Sequence, residues 1–372
     1  MNPFRYSSPL PVEELIDRDA EAALLLERAF EGNSSRLVAP RRYGKTSLLR
    51  RVLRDAEAEG WAAVYVDFFG VLTLADIAQR IERAYSDQLQ GPLASWFAGV
   101  RRTLRPTFRA GGGPLPVGIE ASADPQAEPP LLERLALPRR LAQRDGTRTL
   151  VVFDEFQDVL GAHDRVDATI RSEIQHHGDA ASYVFAGSHV GMMRGLFADQ
   201  RRAFFGQAGP VDLVPLAAED VAGFLHARFE QTGRHVGAAL EPLLELAGGH
   251  PQRTMLLAHA VWEQTGPRAT ASEQTWAAAQ DRVMGEVRDE LRALWSGLPS
   301  GQRRALAAIA EQRTSLYAAQ REHGGSRGGA LRSAVEGLLD RGDVVADPGS
   351  VTRHRVVDPL LAAWVREGRP GV

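Results

Sequence analysis

Hydrophobic positions along the chain change period repeatedly, and each change marks an element. Leu24, Leu25, Leu26 and Phe30 recur at helical spacing behind Asp17 and Asp19, predicting a helix over Asp19–Phe30 that Gly32 and Asn33 stop. Leu37 and Val38 form a short apolar run. A loop follows, and Leu48, Leu49 and Val52 restore the helical period over residues 46–59. Residues 62–69 read as a strand, 74–88 as a helix and 131–144 as another. Thr149 to Asp158 (T-L-V-V-F-D-E-F-Q-D) is an apolar run closed by acids, the pattern of a parallel strand buried on both faces. Residues 183–187 and 211–216 are further strands.

Beyond them the pattern is helical: 218–232, 238–247 and 252–264, then 302–312, 315–323 and 327–341. A hairpin of 343–346 and 352–357, turned by Asp347-Pro348-Gly349, and a closing helix 360–366 complete the chain. Alternating strands and helices indicate an α/β fold with a doubly wound, mainly parallel sheet. The boundaries expected are an α/β core at 1–216, a helical lid at 217–295 and a winged helix at 296–372. Within the core, residues 91–130, rich in Gly and Pro, are expected to be irregular, with a small hairpin at 117–119, and residues 1–18 to be an extended lead-in.

The loop between the first strand and its helix carries the chemistry. It reads A-P-R-R-Y-G-K-T-S, Ala39 to Ser47. Backbone N–H groups at a helix N-terminus cradle phosphates, a lysine reaches the β/γ-phosphates, and a Ser or Thr hydroxyl meets Mg²⁺. The strict pattern has Gly where Ala39 stands, a change tolerated if that residue keeps φ < 0. Lys45 is the only lysine in 372 residues; every other basic residue of the 44 Lys+Arg is Arg. One retained ammonium in so arginine-rich a chain marks a site where a compact point charge is required.

Ligands in open α/β sheets bind beyond the strand C-termini. Asp154 is therefore expected to hold Mg²⁺ and Glu155 to polarise an attacking water. Composition adds exclusions. With no cysteine there is neither a disulfide framework nor a thiolate nucleophile. An N-terminal stretch without an apolar core segment, and no run of 18 apolar residues, point to a cytoplasmic protein without membrane contact. Net charge is −3. Residues 296–372 hold 11 Arg against 8 acids, a weak sign of a separate C-terminal role. A single lysine leaves no Asn-Lys-x-Asp base-reading motif, so ATP is favoured over GTP, and a protein-kinase lysine and H-R-D loop are absent.

Together the elements resemble the archaeal-type ATPases, P-loop NTPases related to the AAA+ and STAND groups, over nearly the whole chain. The resemblance rests on N-P-F (2–4), D-R-D (17–19), P-R-R-Y-G-K-T-S (40–47), F-D-E (153–155), A-G-S (186–188), G-G-H-P (248–251) and D-P-L-L (358–361). It implies a P-loop αβα sandwich, a helical lid and a C-terminal winged helix. By position, Pro40, Arg41, Arg42, Tyr43, Gly44, Lys45, Thr46 and Ser47 bind ATP, with Thr46 and Asp154 at Mg²⁺. Lys45, Asp154, Glu155 and Ser188 serve catalysis, Ser188 or His189 as a γ-phosphate sensor. His250 and Pro251 approach the nucleotide from the lid, Arg253 either reaches the phosphates or is a solvated helix-end charge, and Arg18 lies near adenine.

Gln207 stands where such proteins often carry an arginine, which implies slow hydrolysis unless Arg201 or Arg202 substitutes for a finger presented to a neighbouring subunit in an oligomer. The function expected is a slow Mg-dependent ATPase switch cycling between ATP and ADP. Two alternatives stand beside it. One is a DNA-binding ATPase whose Arg327, Arg332, Arg341, Arg353 and Arg355 meet phosphates. The other is a protein-interaction or defence regulator that binds ATP without significant turnover.

Overall fold

The computed structural model describes residues 1–104, 128–163, 165–312 and 328–368. The hairpin expected at 117–119, the helix expected at 315–323 and Arg327 lie outside the described residues. Two compact units emerge: residues 19–38 with 48–212, and residues 1–18, 39–47 and 213–372.

The first unit is a sheet wrapped by helices: α1 (Asp19–Phe30), β1 (Ser35–Val38), α2 (Lys45–Ala58, whose first turn belongs to the other unit), β2 (Ala62–Asp67), α3 (Leu74–Gln88), α4 (Gly91–Arg101), α5 (Glu128–Leu135), α6 (Leu137–Asp145), β3 (Thr149–Asp154), α7 (Val166–Ile174), β4 (Ala181–Gly187), α8 (Val190–Ala198) and β5 (Gly209–Asp212). The strand order is β2-β3-β4-β1-β5 and every pairing is parallel. Register aligns the strand ends, with Val38 beside Gly187 and Asp67 beside Asp154. The chain therefore leaves β1, β3 and β4 along one edge of the sheet.

All six residues of β3 and all seven of β4 are buried. Aromatic side chains on and beyond these strands anchor the core: Phe156 lies 4.8 Å from Phe185 and 5.2 Å from Phe204 between ring centroids, each such pair being worth about 0.5–1.5 kcal/mol beyond its area.

Three expectations need correction here. Residues 91–101 form a helix, because Pro92 suits a first turn and Leu93, Trp96, Phe97 and Val100 make one apolar face packed on the core. The helix expected over 131–144 is broken between α5 and α6, where Pro138 has no N–H to continue the ladder. The strand expected at 211–216 lies at Gly209–Asp212 instead, pairing having ended before Pro215. Helices α7 and α8 were not foreseen.

The second unit contains α9 (Ala218–Gln231), α10 (Leu240–Ala247), α11 (Pro251–Gln264), α12 (Glu273–Glu286), α13 (Arg288–Ser296), α14 (Ser300–Glu311), α15 (Gly328–Arg341), β6 (Val344–Ala346), β7 (His354–Val356) and α16 (Pro359–Arg366). Strands β6 and β7 form the antiparallel hairpin expected near the C-terminus. Helices α12 and α13 were not foreseen; α12 is alanine-rich with little apolar periodicity, whereas α13 places Leu291, Leu294 and Trp295 at helical spacing among charged residues. Leu225, Phe229, Leu243, Leu257, Val261, Leu291, Leu306, Leu338 and Leu360 form its core. The lead-in is anchored: Phe4 is 1% exposed and packs 5.2 Å from Phe229, while Asn2 donates to the His259 carbonyl at 3.1 Å. Among the described residues no helix is long and apolar enough to cross a membrane.

Candidate functional site

In the second unit the loop 39–47 ends in a turn whose backbone demands glycine. Gly44 has φ +86°, a left-handed value that L side chains adopt only under strain, and Lys45 and Thr46 follow as the first residues of α2. Ala39 is fully buried and is not among the residues with positive φ, so its extra methyl costs no backbone strain. Arg42, by contrast, sits at φ +65°. Lys45 is 7% exposed, Pro40, Tyr43 and Ser47 are buried, and Arg41 is exposed.

The same unit brings the G-G-H-P turn against this loop. The Tyr43 ring meets His250 edge-on at 5.2 Å and 79°, and the Tyr43 hydroxyl accepts from Arg355 Nη2 at 3.3 Å. Gly249 has no room for a side chain, since a Cβ there would lie 2.4 Å from the Leu216 carbonyl oxygen. His250 caps α11: its Nδ1 accepts from the Arg253 N–H at 3.3 Å, which leaves the proton of the neutral ring on Nε2. Burial, reinforced by the Arg253 charge against the opposing pull of Asp358, lowers its pKa to about 4. Near neutral pH the ring is uncharged.

Arg253 is neither solvated nor unoccupied. It is 1% exposed and its guanidinium grips Asp358, Nε at 3.1 and 3.2 Å and Nη2 at 2.5 Å, while Nη2 also reaches Glu290 Oε1 at 3.1 Å. That same Glu290 oxygen accepts from Arg42 Nη1 at 2.5 Å. Asp358 Oδ1 further caps α16 through the Leu360 and Leu361 amides at 3.0 and 3.4 Å. Burial pushes the Asp358 carboxyl up, but hydrogen bonds and charge from Arg253 outweigh it and leave the pKa below the usual carboxylate value. The expected helix-end charge is thus the centre of an ion-pair chain linking the loop, α13, α11 and α16, buried at Arg253 and exposed at Glu290 and Arg42. Arg18 is 2% exposed and donates to the Val214 carbonyl at 2.8 Å; Asp17 and Arg18 are both left-handed, at φ +42° and +138°.

In the first unit the acids at the end of β3 are held firmly. Asp154 is 4% exposed; Oδ1 accepts the Glu155 N–H at 2.9 Å and Oδ2 accepts a short hydrogen bond from the Tyr65 hydroxyl. Glu155 is left-handed at φ +47°, and its Oε2 accepts three times, from Ser188 N at 3.1 Å, Ser188 Oγ at 2.8 Å and Gln157 Nε2 at 2.6 Å. Ser188 therefore stands at the carboxylate, while His189 caps α8 through Met192 N at 3.3 Å. Gln207 accepts from Arg171 at 2.6 Å. Arg201 pairs with Asp199 at 2.8 Å and Arg202 lies 3.6 Å from Asp167.

Three partners escaped the sequence reading: Tyr65, Gln157 and Glu290. Tyr65 is a polar-tipped residue in a strongly apolar run, which was a signal; Gln157 among acids and Glu290 on a charged helix gave none. Of the C-terminal arginines expected to meet DNA, Arg332 pairs with Glu336 at 2.9 Å, Arg341 with Asp343 at 2.6 Å, and Arg355 lies 3.9 Å from Asp347.

No protein-family model matches the chain, and no curated protein matches its sequence. Solved structures do match its fold. A Walker-type ATPase of Pyrococcus abyssi superposes with a TM-score of 0.71 at 19% identity, over 98% of this chain and 99% of that one. The ORC2 protein of Aeropyrum pernix matches at 0.56 and 17% identity in its ADPNP-ADP complexes, covering 98% of this chain and 97% of that one. Its ADP form matches at 0.53 and 17% identity, over 99% and 98%.

Proposed function

We propose that this chain, built on the P-loop ATPase fold, binds Mg-ATP and hydrolyses it slowly, acting as a nucleotide-controlled switch. The observation that carries this reading is the turn at Gly44: a left-handed glycine delivers the sole lysine and a threonine to the first turn of α2. That combination offers main-chain amides, an ammonium and a hydroxyl to one polyphosphate. Residues 40–47 would cradle the phosphates, with Arg18, His250 and Pro251 beside the nucleotide.

Magnesium suits the donor set. It prefers oxygen ligands, keeps several waters, and is bound by one or two carboxylates together with substrate phosphates. Thr46 and Asp154 would hold it, and the ion would neutralise charge developing on the phosphates. Glu155 is assigned to orienting water and Ser188 to the γ-phosphate. Three hydrogen bonds fix Glu155 Oε2, which makes Oε1 the oxygen to orient a water. Gln207 in the place of an arginine argues for slow turnover. The same observation favours a second reading, in which ATP is bound and hardly turned over.

Lys45→Ala should abolish ATP binding, and Glu155→Gln should keep binding while cutting phosphate release at least about 100-fold. Steady-state release of inorganic phosphate, read beside nucleotide binding, checks both. Wild-type turnover persisting in either variant refutes the assignments; binding without measurable release in the wild type selects the second reading.

A further inference from the structure

We infer that Tyr65 is a positioning residue for Asp154, setting the carboxylate that this chain turns toward Mg²⁺; the inference rests on the nucleotide reading above. Tyr65 lies on β2, the edge strand, and pairs in register with Val152 of β3, while Asp154 pairs with Asp67. Side chains two positions apart on a strand share a face, so Tyr65 and Asp154 are diagonal neighbours on one side of the sheet. A phenol is long enough to span that diagonal. Its hydroxyl donates to Asp154 Oδ2, and the Glu155 amide occupies Oδ1. Each oxygen is thus oriented by its own donor.

The tyrosine is itself pinned. An edge strand leaves one row of N–H and C=O groups without a strand partner, and here the Gln88 side-chain amide supplies a substitute. Tyr65 N donates to Gln88 Oε1 at 2.7 Å and Gln88 Nε2 donates to the Tyr65 carbonyl at 2.7 Å. Gln88 closes α3, so the chain of restraint runs from α3 through the edge of the sheet to the acid at the end of β3. Fixed partners behind a metal-binding side chain are worth roughly 10–100-fold in metal affinity in well-studied sites. A phenylalanine would pack in place of Tyr65 and remove the hydroxyl that donates to Asp154 Oδ2, so the change is local.

The test uses the full chain and a fluorescent ATP analogue, mant-ATP, first in EDTA and then across a Mg²⁺ titration. Tyr65→Phe is expected to bind mant-ATP like wild type without metal, but to need about tenfold more Mg²⁺ for the half-maximal change, with the same rightward shift in Mg²⁺-dependent phosphate release. Gln88→Ala, which leaves the Tyr65–Asp154 contact but loosens its support, should shift the midpoint in the same direction by less. A Mg²⁺ midpoint equal to wild type in Tyr65→Phe, whatever its melting temperature, overturns the inference and leaves ATP binding standing. If wild type does not respond to Mg²⁺ and Lys45→Ala binds mant-ATP equally well, the nucleotide reading falls and this inference with it.

Discussion

His250 shows how one side chain makes stability depend on pH. Its folded pKa of about 4 lies below the ordinary value of 6.5, with burial the first cause. Between those values the unfolded chain binds a proton that the folded chain does not, so stability rises with pH and is lost as pH falls from 6.5 toward 4. The slope is at most about 1.4 kcal/mol per pH unit. Buried His177, its pKa also lowered mainly by burial, adds in the same direction. Urea unfolding at pH 7 and pH 5 should show the loss, and His250→Asn, which keeps a capping acceptor, should flatten it. Gly187 is decided by space: a Cβ there would stand 2.3 Å from Gln157 Oε1 and 2.7 Å from Met193 Sδ. Gly187→Ala should cost about 1–3 kcal/mol in the same assay.

Residues of this kind divide by how far away their reasons lie. Lys45 and Gly44 could be read from composition and spacing because the loop is contiguous. The tightest contact on Gly187 comes from Gln157, 30 residues back in the chain, and the Tyr65 hydroxyl meets an acid 89 residues on, so no local pattern announces either.

At the scale of elements, the decisive piece is the ion-pair chain joining the loop, α13, α11 and α16. Asp358→Ala would strand the buried Arg253 and uncap α16. A broken buried pair costs about 3–5 kcal/mol and a lost cap about 1 kcal/mol, so severe destabilisation is expected in chemical denaturation. Glu290→Gln should cost within about 1 kcal/mol, since Glu290 and Arg42 are well exposed and such pairs are weak. A double-mutant cycle of Glu290→Gln with Arg42→Ala would give the coupling directly. The element boundaries of α1 and α3 were legible because apolar period and stop signals agree there. Helix α4 was passed over because glycine and proline elsewhere in the same stretch overrode its own i, i+3, i+4, i+7 pattern. The break at Pro138 was missed in the opposite way, an apolar period being followed through a proline.

Over the whole molecule, the α/β class and parallel sheet followed from alternating strands and helices, whereas the strand order β2-β3-β4-β1-β5 rests on long-range pairings that periodicity does not encode. The grouping of residues 1–18 and 39–47 with everything after 212 is equally invisible along the chain. A ligand present at 100 times its Kd stabilises the state it binds by about 2.7 kcal/mol, which raises the melting temperature of whatever cooperative unit contains its site. Calorimetric titration of ATP with Mg²⁺ into the full chain and into Lys45→Ala tests the central claim most directly. Saturable one-site binding to the wild type, weakened at least about 100-fold in Lys45→Ala, is predicted. Equal binding to both proteins, or none to the wild type, would contradict it.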